Sequence, residues 1–163
     1  EYGRAVFKPL FTSKARGMQI LDDTLPALKE KIIKFKLMGN NVLYIQKMIP
    51  IPGRDLGVVF LRGNYIGAYA RVKNGQSWNT TTANGGSYQA VEPAIQIIDM
   101  ARRAQALFGL DFTCVDVVEA EDGPLVFEVS ALGGFRGLQE AQGINMAALI
   151  VKQVLESIHH EKD

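Results

Sequence analysis

The sequence predicts an α+β fold, built from antiparallel hairpins with amphipathic helices between them. Two hairpin patterns carry this prediction: residues 56–72 turn back on themselves at 62–64, and residues 112–130 do so at a short acidic turn centred on Asp122. Apolar residues at helical spacing occupy segments before, between and after these hairpins. Strands that pair through short turns, with helices grouped between the hairpins, are typical of α+β proteins rather than of βαβ repeats.

The first fifty residues are predicted to form three strands and one helix. Leu25, Leu28, Ile32 and Phe35 recur at helical spacing, and Gly39-Asn40 provides a stop signal after them. The predicted elements are, in order, strands over 1–8 and 18–21, a helix over 23–37 and a strand over 42–49.

The segment 50–53, Pro-Ile-Pro-Gly, is the best candidate for a boundary between two subdomains. We therefore expect domains at 1–50 and 51–163. Within the second domain, residues 74–89 form a long polar stretch rich in Thr, Asn and Gly, and loops of this length are usually functional or disordered. The remaining predicted elements are helices over about 92–107 and about 145–159.

The bulk properties exclude several classes of protein. The 163 residues carry 18 Lys and Arg against 17 Asp and Glu, and this net charge of +1 gives no reason to expect a nucleic-acid or membrane partner. The hydrophobic content of 47% is that of an ordinary globular chain, and no apolar run approaches the length of a membrane span. A single cysteine, Cys114, excludes an internal disulfide and fits a reducing, cytoplasmic compartment.

The acidic hairpin is predicted to set two carboxylates against each other. Side chains alternate between the faces of a strand, so Val126, Glu128 and Ser130 are expected to share one face, and a turn centred on Asp122 sets Asp116 directly opposite Glu128. Like charges so placed repel, and the runs around them are too apolar to leave a charge unpaired. A divalent cation between them would resolve this conflict, and oxygen ligands favour Mg²⁺ or Mn²⁺. The simpler alternative is a surface hairpin whose acids point into water.

The start of the sequence indicates that this chain is a piece of a longer protein. The sequence begins without Met and runs at once into a strand pattern that ends at Lys8-Pro9. We therefore expect that the N-terminal part of the fold is truncated and that some of the functional site lies upstream.

The last third of the chain carries four motifs in a characteristic order. They are Val115-Asp116-Val117, Gly123-Pro-Leu-Val-Phe-Glu128-Val-Ser130, Gly133-Gly-Phe-Arg-Gly-Leu and Gly143-Ile-Asn145. This pattern resembles the C-terminal hallmark of the RimK-like carboxylate-amine ligases, which have the ATP-grasp fold. The resemblance implies that Asp116 and Glu128 hold Mg²⁺ at the phosphates of ATP. Ser130 stands where the family has Asn, and a hydroxyl is a weaker metal ligand than an amide carbonyl.

The resemblance extends to residues of the first domain that would contact ATP. Lys8 matches the family's lysine at the phosphates, and a charge on an edge strand is the alternative. Residues 12–17, including Ser13 and Gly17, match the flap that closes over phosphates through backbone N–H groups. The segment Gln46-Lys47-Met48-Ile49 matches the stretch whose backbone contacts adenine, with an ordinary strand as the alternative.

Residues of the second domain match the ribose and phosphoryl regions of the family. Asp55 corresponds to an Asp near the ribose, and a solvated turn salt bridge between Arg54 and Asp55 is the alternative. Arg71 corresponds to an arginine at the transferred phosphoryl group, and Thr81 stands where Asn is typical. The loop residues implied in the same region are Asn79, Thr80 and Thr81.

The activity that the resemblance implies is ATP-dependent formation of an amide bond between a carboxylate and an amine, through an acylphosphate. Lys8 and Arg71 would be the catalytic residues. Residues 1–50 would form part of the lid subdomain, and 51–163 would form the metal-binding subdomain. An amino acid such as glutamate is implied as one substrate, with a small molecule or peptide as the other.

Two other hypotheses stay open at this point. The loss of amides at Ser130 and Thr81 favours a catalytically weakened nucleotide-binding or regulatory domain. A plain α+β interaction domain is the third hypothesis, and it predicts no Mg²⁺-dependent binding of nucleotide. The sequence leaves open whether the protein forms a homo-oligomer.

Overall fold

The chain is described as two compact units, Glu1–Pro50 and Ile51–Asp163. In this computed structural model the described residues are 3–22, 25–75, 77–131 and 133–160. The predicted helix start at Asp23 lies outside the described residues, as do the first two residues of the predicted first strand.

The first unit is a three-stranded antiparallel sheet that shares its core with one helix. Its elements are β1 (Ala5–Lys8), β2 (Gln19–Leu21), α1 (Leu25–Leu37) and β3 (Tyr44–Lys47). β1 lies in the middle, between β2 and β3. Phe7 of β1 meets Phe35 of α1 with ring centres 5.5 Å apart, and Leu21 completes this buried cluster. The predicted order of elements is confirmed, although the first strand is shorter than expected.

The second unit is a five-stranded antiparallel sheet with helices on both faces, in the strand order β6-β5-β4-β7-β8. Its elements are β4 (Arg54–Leu61), β5 (Asn64–Val72), β6 (Ser87–Ala90), α2 (Ile95–Ala106), β7 (Phe112–Ala120), β8 (Gly123–Ser130), α3 (Arg136–Gln142) and α4 (Met146–His160). Antiparallel hairpins with helices between them confirm the predicted α+β class. β4 is buried along almost its whole length because layers cover the sheet on both sides.

One face of this sheet packs against α2 and is called the α2 face here. Val58, Val115 and Val117 of the strands meet Ile97 and Ala101 of the helix. These helix residues are four apart, so they lie on the same side of α2. The cluster is fully apolar and forms the main core of the unit.

The opposite face, called the α3 face, packs against the two C-terminal helices. Tyr69 and Cys114 of the strands meet Leu138 of α3 and Met146 of α4. Tyr69 lies between two glycines, because a Cβ at either Gly57 or Gly137 would come closer than 3.0 Å to its ring. The absence of side chains at these two positions lets an aromatic ring fill the layer between sheet and helix.

Two elements differ from the sequence prediction. The polar stretch 74–89 was expected to be a loop, but its end forms β6, which pairs with β5 at the edge of the sheet. The segment between the Gly133-Gly134 loop and the last helix, for which the sequence predicts no element, forms α3. Both are short and interrupted by or adjacent to glycines, which hides their periodicity.

Each hairpin of the second unit combines a two-residue turn with one β-bulge. In the first, Leu61 pairs with Asn64, and the register shifts between Val59 and Phe60. In the second, Ala120 pairs with Gly123, and the register shifts between Asp116 and Val117. A bulge inserts one extra residue into one strand and so changes which side chains face each other beyond it.

No helix in the described part of the chain is long and apolar enough to span a membrane. The longest helix, α4, has 15 residues.

The glycines around Tyr69 provide a test of this layered packing. Gly57→Ala and Gly137→Ala should each lower the free energy of unfolding by about 1–3 kcal/mol, because the added methyl group overpacks the ring. Gly134→Ala is the control, since a Cβ there meets nothing within 4 Å. Denaturant unfolding of the three variants measures the effect, and equal midpoints for all three would contradict the packing described.

Candidate active site

Three neighbouring strands bring charged side chains together on the α3 face of the sheet. Asp55 of β4 lies directly opposite Arg71 of β5, and Asp116 of β7 pairs with Gly57, two residues further along β4. The Arg71 Nε atom donates to Asp55 Oδ2 at 3.0 Å, and Nη2 contacts the same oxygen. Nη2 also lies 2.7 Å from Asp116 Oδ2. One guanidinium on β5 therefore links carboxylates from the next two strands of the sheet, β4 and β7.

Burial determines the electrostatics of this cluster. The side chain of Asp55 is 5% exposed and that of Asp116 is 18% exposed. Burial raises the pKa of Asp116 to about 6; Arg71 opposes this shift, and the carboxylates of Asp55 and Glu128 add to it. Burial alone would lower the pKa of Arg71, but its ion pairs with Asp116 and Asp55 outweigh burial and raise that pKa. Arg71 therefore stays charged, whereas Asp116 holds its proton more readily than an ordinary aspartate.

Glu128 of β8 lies directly opposite Asp116, as the sequence predicted, and this pairing is confirmed. Glu128 is exposed, and Ser130 pairs with Cys114 one step further along the hairpin. The expectation that Val126 shares their face is wrong. Because the bulge inserts an extra residue between Val126 and Glu128, Val126 pairs with Val117 and packs on the α2 face.

In the first unit, Lys8 lies at the end of β1 beside the neighbouring strand. Its Nζ donates to Gln46 Oε1 and lies 5.8 Å from the centre of the Tyr44 ring. The Met48 N–H donates to the Arg4 carbonyl at 2.9 Å, so the predicted adenine segment begins as a strand paired with β1. Contacts of Gln46, Lys47, Met48 and Ile49 with adenine stay a prediction.

The predicted flap is a tight loop held by its own side chains. Thr12 Oγ1 donates to the Arg16 carbonyl at 2.6 Å, while the Arg16 guanidinium donates to the Ser13 carbonyl and hydroxyl at 3.3 and 3.0 Å. Lys14 and Ala15 both have φ of 56°, and Gly17 has φ of 72°. This left-handed backbone makes the loop turn tightly, and the Arg16 and Met18 N–H groups donate within it to the Ser13 and Ala15 carbonyls at 3.2 and 3.3 Å. A phosphate-binding role for Ser13 and Gly17 stays a prediction.

The loop residues Asn79, Thr80 and Thr81 are drawn together by one side chain. Asn79 Oδ1 accepts from the Thr81 N–H at 3.2 Å and from Thr81 Oγ1 at 2.9 Å, and Ser77 also contacts it. Asn79 and Thr80 are buried. These bonds give the loop a defined shape before β6, and contacts of its residues with nucleotide stay a prediction.

The sequence matches the family model of the RimK-like ATP-grasp domain over residues 10–154. The chain belongs to the RimK-like ATP-grasp family. The family resemblance predicted from the motifs is therefore confirmed. The match includes Asp55, Arg71, Asp116 and Glu128, so the charged cluster lies within the ATP-grasp domain.

Relatives and solved structures place the chain among ATP-grasp proteins. Tetrahydromethanopterin:alpha-L-glutamate ligase of Methanocaldococcus jannaschii is 27% identical over 97% of this chain and 55% of the relative. The protein of the same name from Methanosarcina acetivorans is 29% identical over 93% of this chain and 55% of the relative. The ATP-grasp ligase PsnB, solved with its minimal precursor, has a TM-score of 0.71 at 20% identity over 95% of this chain and 48% of PsnB. The chain thus spans about half the length of these proteins.

The charged cluster supplies some, but not all, of the ligands that a divalent cation needs. Asp116 and Glu128 offer carboxylate oxygens. Together with Asp55 and Arg71 they give the cluster a net charge of −2 when all four side chains are ionised. Among the described residues, no three His, Cys, Asp or Glu side chains converge as a complete metal site. Mg²⁺ usually binds through one or two carboxylates together with substrate phosphates, and the pair here fits that pattern.

Cys114 lies beside the cluster but is not an available nucleophile. Its thiol contacts the Tyr69 hydroxyl at 3.4 Å and Asp116 Oδ1 at 3.8 Å. Burial, with the nearby Asp116 carboxylate, raises the pKa of Cys114 to about 12. The residue therefore stays a thiol at neutral pH and packs in the core of the α3 face.

Sequence reasoning missed the ion pair between Asp55 and Arg71. The alternative salt bridge of Asp55 with Arg54 is wrong, because Arg54 donates to Glu119 at 2.9 Å. A signal for the true partner was available: folding residues 56–72 about a centre at Gly63 places Asp55 opposite Arg71. The family resemblance assigns the two residues to separate parts of the nucleotide site, the ribose and the phosphoryl group, and so does not pair them.

Removal of the Asp116 charge is expected to leave metal-free stability unchanged or slightly raised, because repulsion from Glu128 costs about 0.5 kcal/mol. The pKa of Asp116 is raised from an ordinary 3.8 to about 6, so the folded state holds this proton more tightly than the unfolded chain. Wild-type stability therefore falls as pH rises between these values, and Asp116→Asn lacks this loss. Denaturant unfolding measures this: between about pH 4 and about pH 7, the free energy of unfolding of Asp116→Asn should rise relative to that of wild type.

Asp122→Asn is the matched control, because Asp122 is an exposed acid in the turn of the same hairpin. Its stability difference from wild type should change little over the same pH range. A purely structural ion-pair role for Asp116 predicts the reverse, with Asp116→Asn less stable than wild type at neutral pH.

Proposed function

We propose that this chain supplies the ATP-binding part of a ligase that joins a carboxylate to an amine at the expense of ATP. The observation that carries the proposal is the opposed pair Asp116 and Glu128 with Arg71 beside it, on one face of an ATP-grasp sheet. Two carboxylates and a fixed cation are the groups needed to hold a metal–phosphate complex and its transferred phosphoryl group.

Glutamate is the proposed amino-acid substrate. Support comes from the relatives from two methanogens, both of which are named glutamate ligases. The other substrate is proposed as a small molecule or peptide that carries a carboxylate or an amine. The names of the relatives favour a ligase over a regulatory nucleotide-binding domain, since each is described as an enzyme.

Asp116 and Glu128 are proposed to hold Mg²⁺ or Mn²⁺, with the Ser130 hydroxyl as a further ligand. A metal bound there would neutralise phosphate charge during transfer. A solved structure of PsnB contains Mg and ADP together with a phosphomimetic variant of its minimal precursor, which supports this choice of cofactors. Arg71 and Lys8 would add positive charge at the phosphates.

The proposed nucleotide contacts follow the family pattern. Residues 1–50 would form part of the lid subdomain, and residues 51–163 would act as the metal-binding subdomain. The residues proposed to contact ATP are Lys8, Ser13, Gly17, Gln46, Lys47, Met48, Ile49, Asn79, Thr80 and Thr81, and the family pattern would add Asp55 at the ribose.

The proposed reaction has two steps and needs no nucleophile from the protein. A substrate carboxylate oxygen attacks the γ-phosphorus of ATP, the bond to the ADP oxygen breaks, and an acylphosphate forms. An amine nitrogen then attacks the acyl carbon, phosphate leaves, and the amine loses a proton as the amide forms. Catalysis of this kind depends on positioning and charge stabilisation, and Arg71 would supply part of the positive charge.

Nucleotide binding is expected to depend on the metal. The chain should bind ADP or a non-hydrolysable ATP analogue more tightly with Mg²⁺ than with EDTA, because the carboxylates repel phosphates unless a cation lies between them. Calorimetry in the two conditions measures this. Glu128→Gln should reduce the effect of Mg²⁺, whereas Glu121→Gln, an exposed acid in the hairpin turn, should leave it unchanged. Equal affinity with Mg²⁺ and with EDTA would refute the metal assignment.

Ligase activity is expected in the longest natural form of the protein. Phosphate release from ATP should require both glutamate and an acceptor, and Asp116→Asn should lower it by at least about a hundredfold. A coupled phosphate assay with a panel of acceptors tests this, with D-glutamate as the matched substrate control. Phosphate release that ignores amino acids altogether would argue against the proposed reaction.

A further inference from the structure

The carboxylates around Arg71 do not hold it equally. Asp55 accepts from both Nε and Nη2 through one oxygen, whereas Asp116 is reached by Nη2 alone. Asp55 also lies directly across from Arg71 on the adjacent strand, while β4 separates Asp116 from β5. Arg71 therefore makes a stronger ion pair with Asp55, on the adjacent strand, than with Asp116.

Exposure follows the same gradient. The Asp55 side chain is 5% exposed and Asp116 is 18% exposed, while Glu128 is exposed to solvent. Within the described residues, Oδ1 of Asp55 has no hydrogen-bond partner, so this buried carboxylate relies on its ion pair with Arg71. Breaking a buried pair leaves an uncompensated charge and is far more costly than changing partners near the surface.

We propose that Asp55 is a positioning residue that holds Arg71 beside Asp116 and Glu128, so that Asp116 can exchange the guanidinium for a divalent cation while Arg71 stays in place. The cation part of this inference rests on the proposed function. Asp116 and Arg71 would otherwise be held only by each other, and a cation at Asp116 would release the arginine. With Asp55 as its anchor, Arg71 remains next to the phosphates that the cation brings.

A ribose contact by Asp55 is the competing assignment, and it predicts different behaviour. A residue that accepts from the ribose 2′-hydroxyl must be reachable from solvent and must distinguish ATP from 2′-deoxyATP. Asp55 is instead buried with its Oδ2 occupied by Arg71. The positioning role predicts that Asp55→Asn leaves the preference between these two nucleotides unchanged.

The first test needs no metal. In the metal-free chain, the Arg71 Nε–H signal in a nitrogen-15 NMR spectrum should exchange slowly with water, because Asp55 holds that proton. Asp116→Asn should keep this protection, whereas Asp55→Asn should speed exchange by at least about tenfold. Loss of protection in Asp116→Asn but not in Asp55→Asn would overturn the inference, whether or not the chain is a ligase.

The second test is a double-mutant cycle read by Mn²⁺ binding in the chain. Arg71→Met should raise the affinity for Mn²⁺ alone, because it removes the competing cation at Asp116. In the wild-type background, Asp55→Asn should lower Mn²⁺ affinity by about tenfold, because Arg71 then pairs with Asp116 and competes with the cation. In the Arg71→Met background the same substitution should lower the affinity by much less. An equal effect in both backgrounds would mean that Asp55 acts only through its own charge, and the positioning role would be refuted.

Controls separate this inference from folding and from the proposed function. Circular dichroism confirms that each variant is folded; if Asp55→Asn is not, Asp55→Glu replaces it and should show Nε–H exchange between wild type and free arginine. Failure of wild type to bind Mn²⁺ at all would reject the proposed metal site, and the exchange experiment would still decide the role of Asp55. Loss of discrimination against 2′-deoxyATP in the Asp55 variant would support the ribose contact and overturn the positioning role.

Discussion

The guanidinium of Arg71 is the constraint on which the site of the second unit depends. Without it, Asp55 and Asp116 would place two negative charges on one covered face of a sheet, where burial makes unpaired charge costly. With it, one positive charge serves both strands, and the cluster still carries more negative than positive charge toward Glu128. The sheet can therefore fold around the cluster without a metal, while the cluster keeps an excess of negative charge.

Strand register decides which residues reach Arg71. Both hairpins of the second unit use a two-residue turn followed by a single bulge, and the charged residues lie beyond the bulge in each case. Without the second bulge, Asp116 would face Phe127 instead of Glu128. Bulges are common next to functional sites because they redirect side chains without ending a strand. The same bulge sends Val126 to the apolar α2 face, so packing and chemistry are set by one local feature.

The fold class and the Asp116–Glu128 pair could be predicted from the sequence because both follow from alternation and turn position. Glu128 was the right partner for Asp116, although the turn is shorter than predicted. A two-residue turn followed by a bulge gives the same pairing beyond the bulge as a longer turn without a bulge. β6 and α3 could not be predicted, because each is held mainly by contacts with the rest of the unit. Gly137, for example, weakens helical propensity but is needed where α3 approaches Tyr69.

The charged cluster makes the fold less stable than apolar residues at the same positions would, and this cost indicates a functional role. Apolar residues of similar size would pack on the α3 face at no desolvation cost, and replacing buried ion pairs by such residues is often stabilising. The chain instead keeps an aspartate whose pKa is raised by burial, an Asp55 oxygen with no hydrogen-bond partner among the described residues, and a second carboxylate facing the first. Local features that cost stability and converge on one place are typical of functional sites. The rest of the unit compensates: the apolar α2 face carries the main core, so the opposite face is free to hold charge.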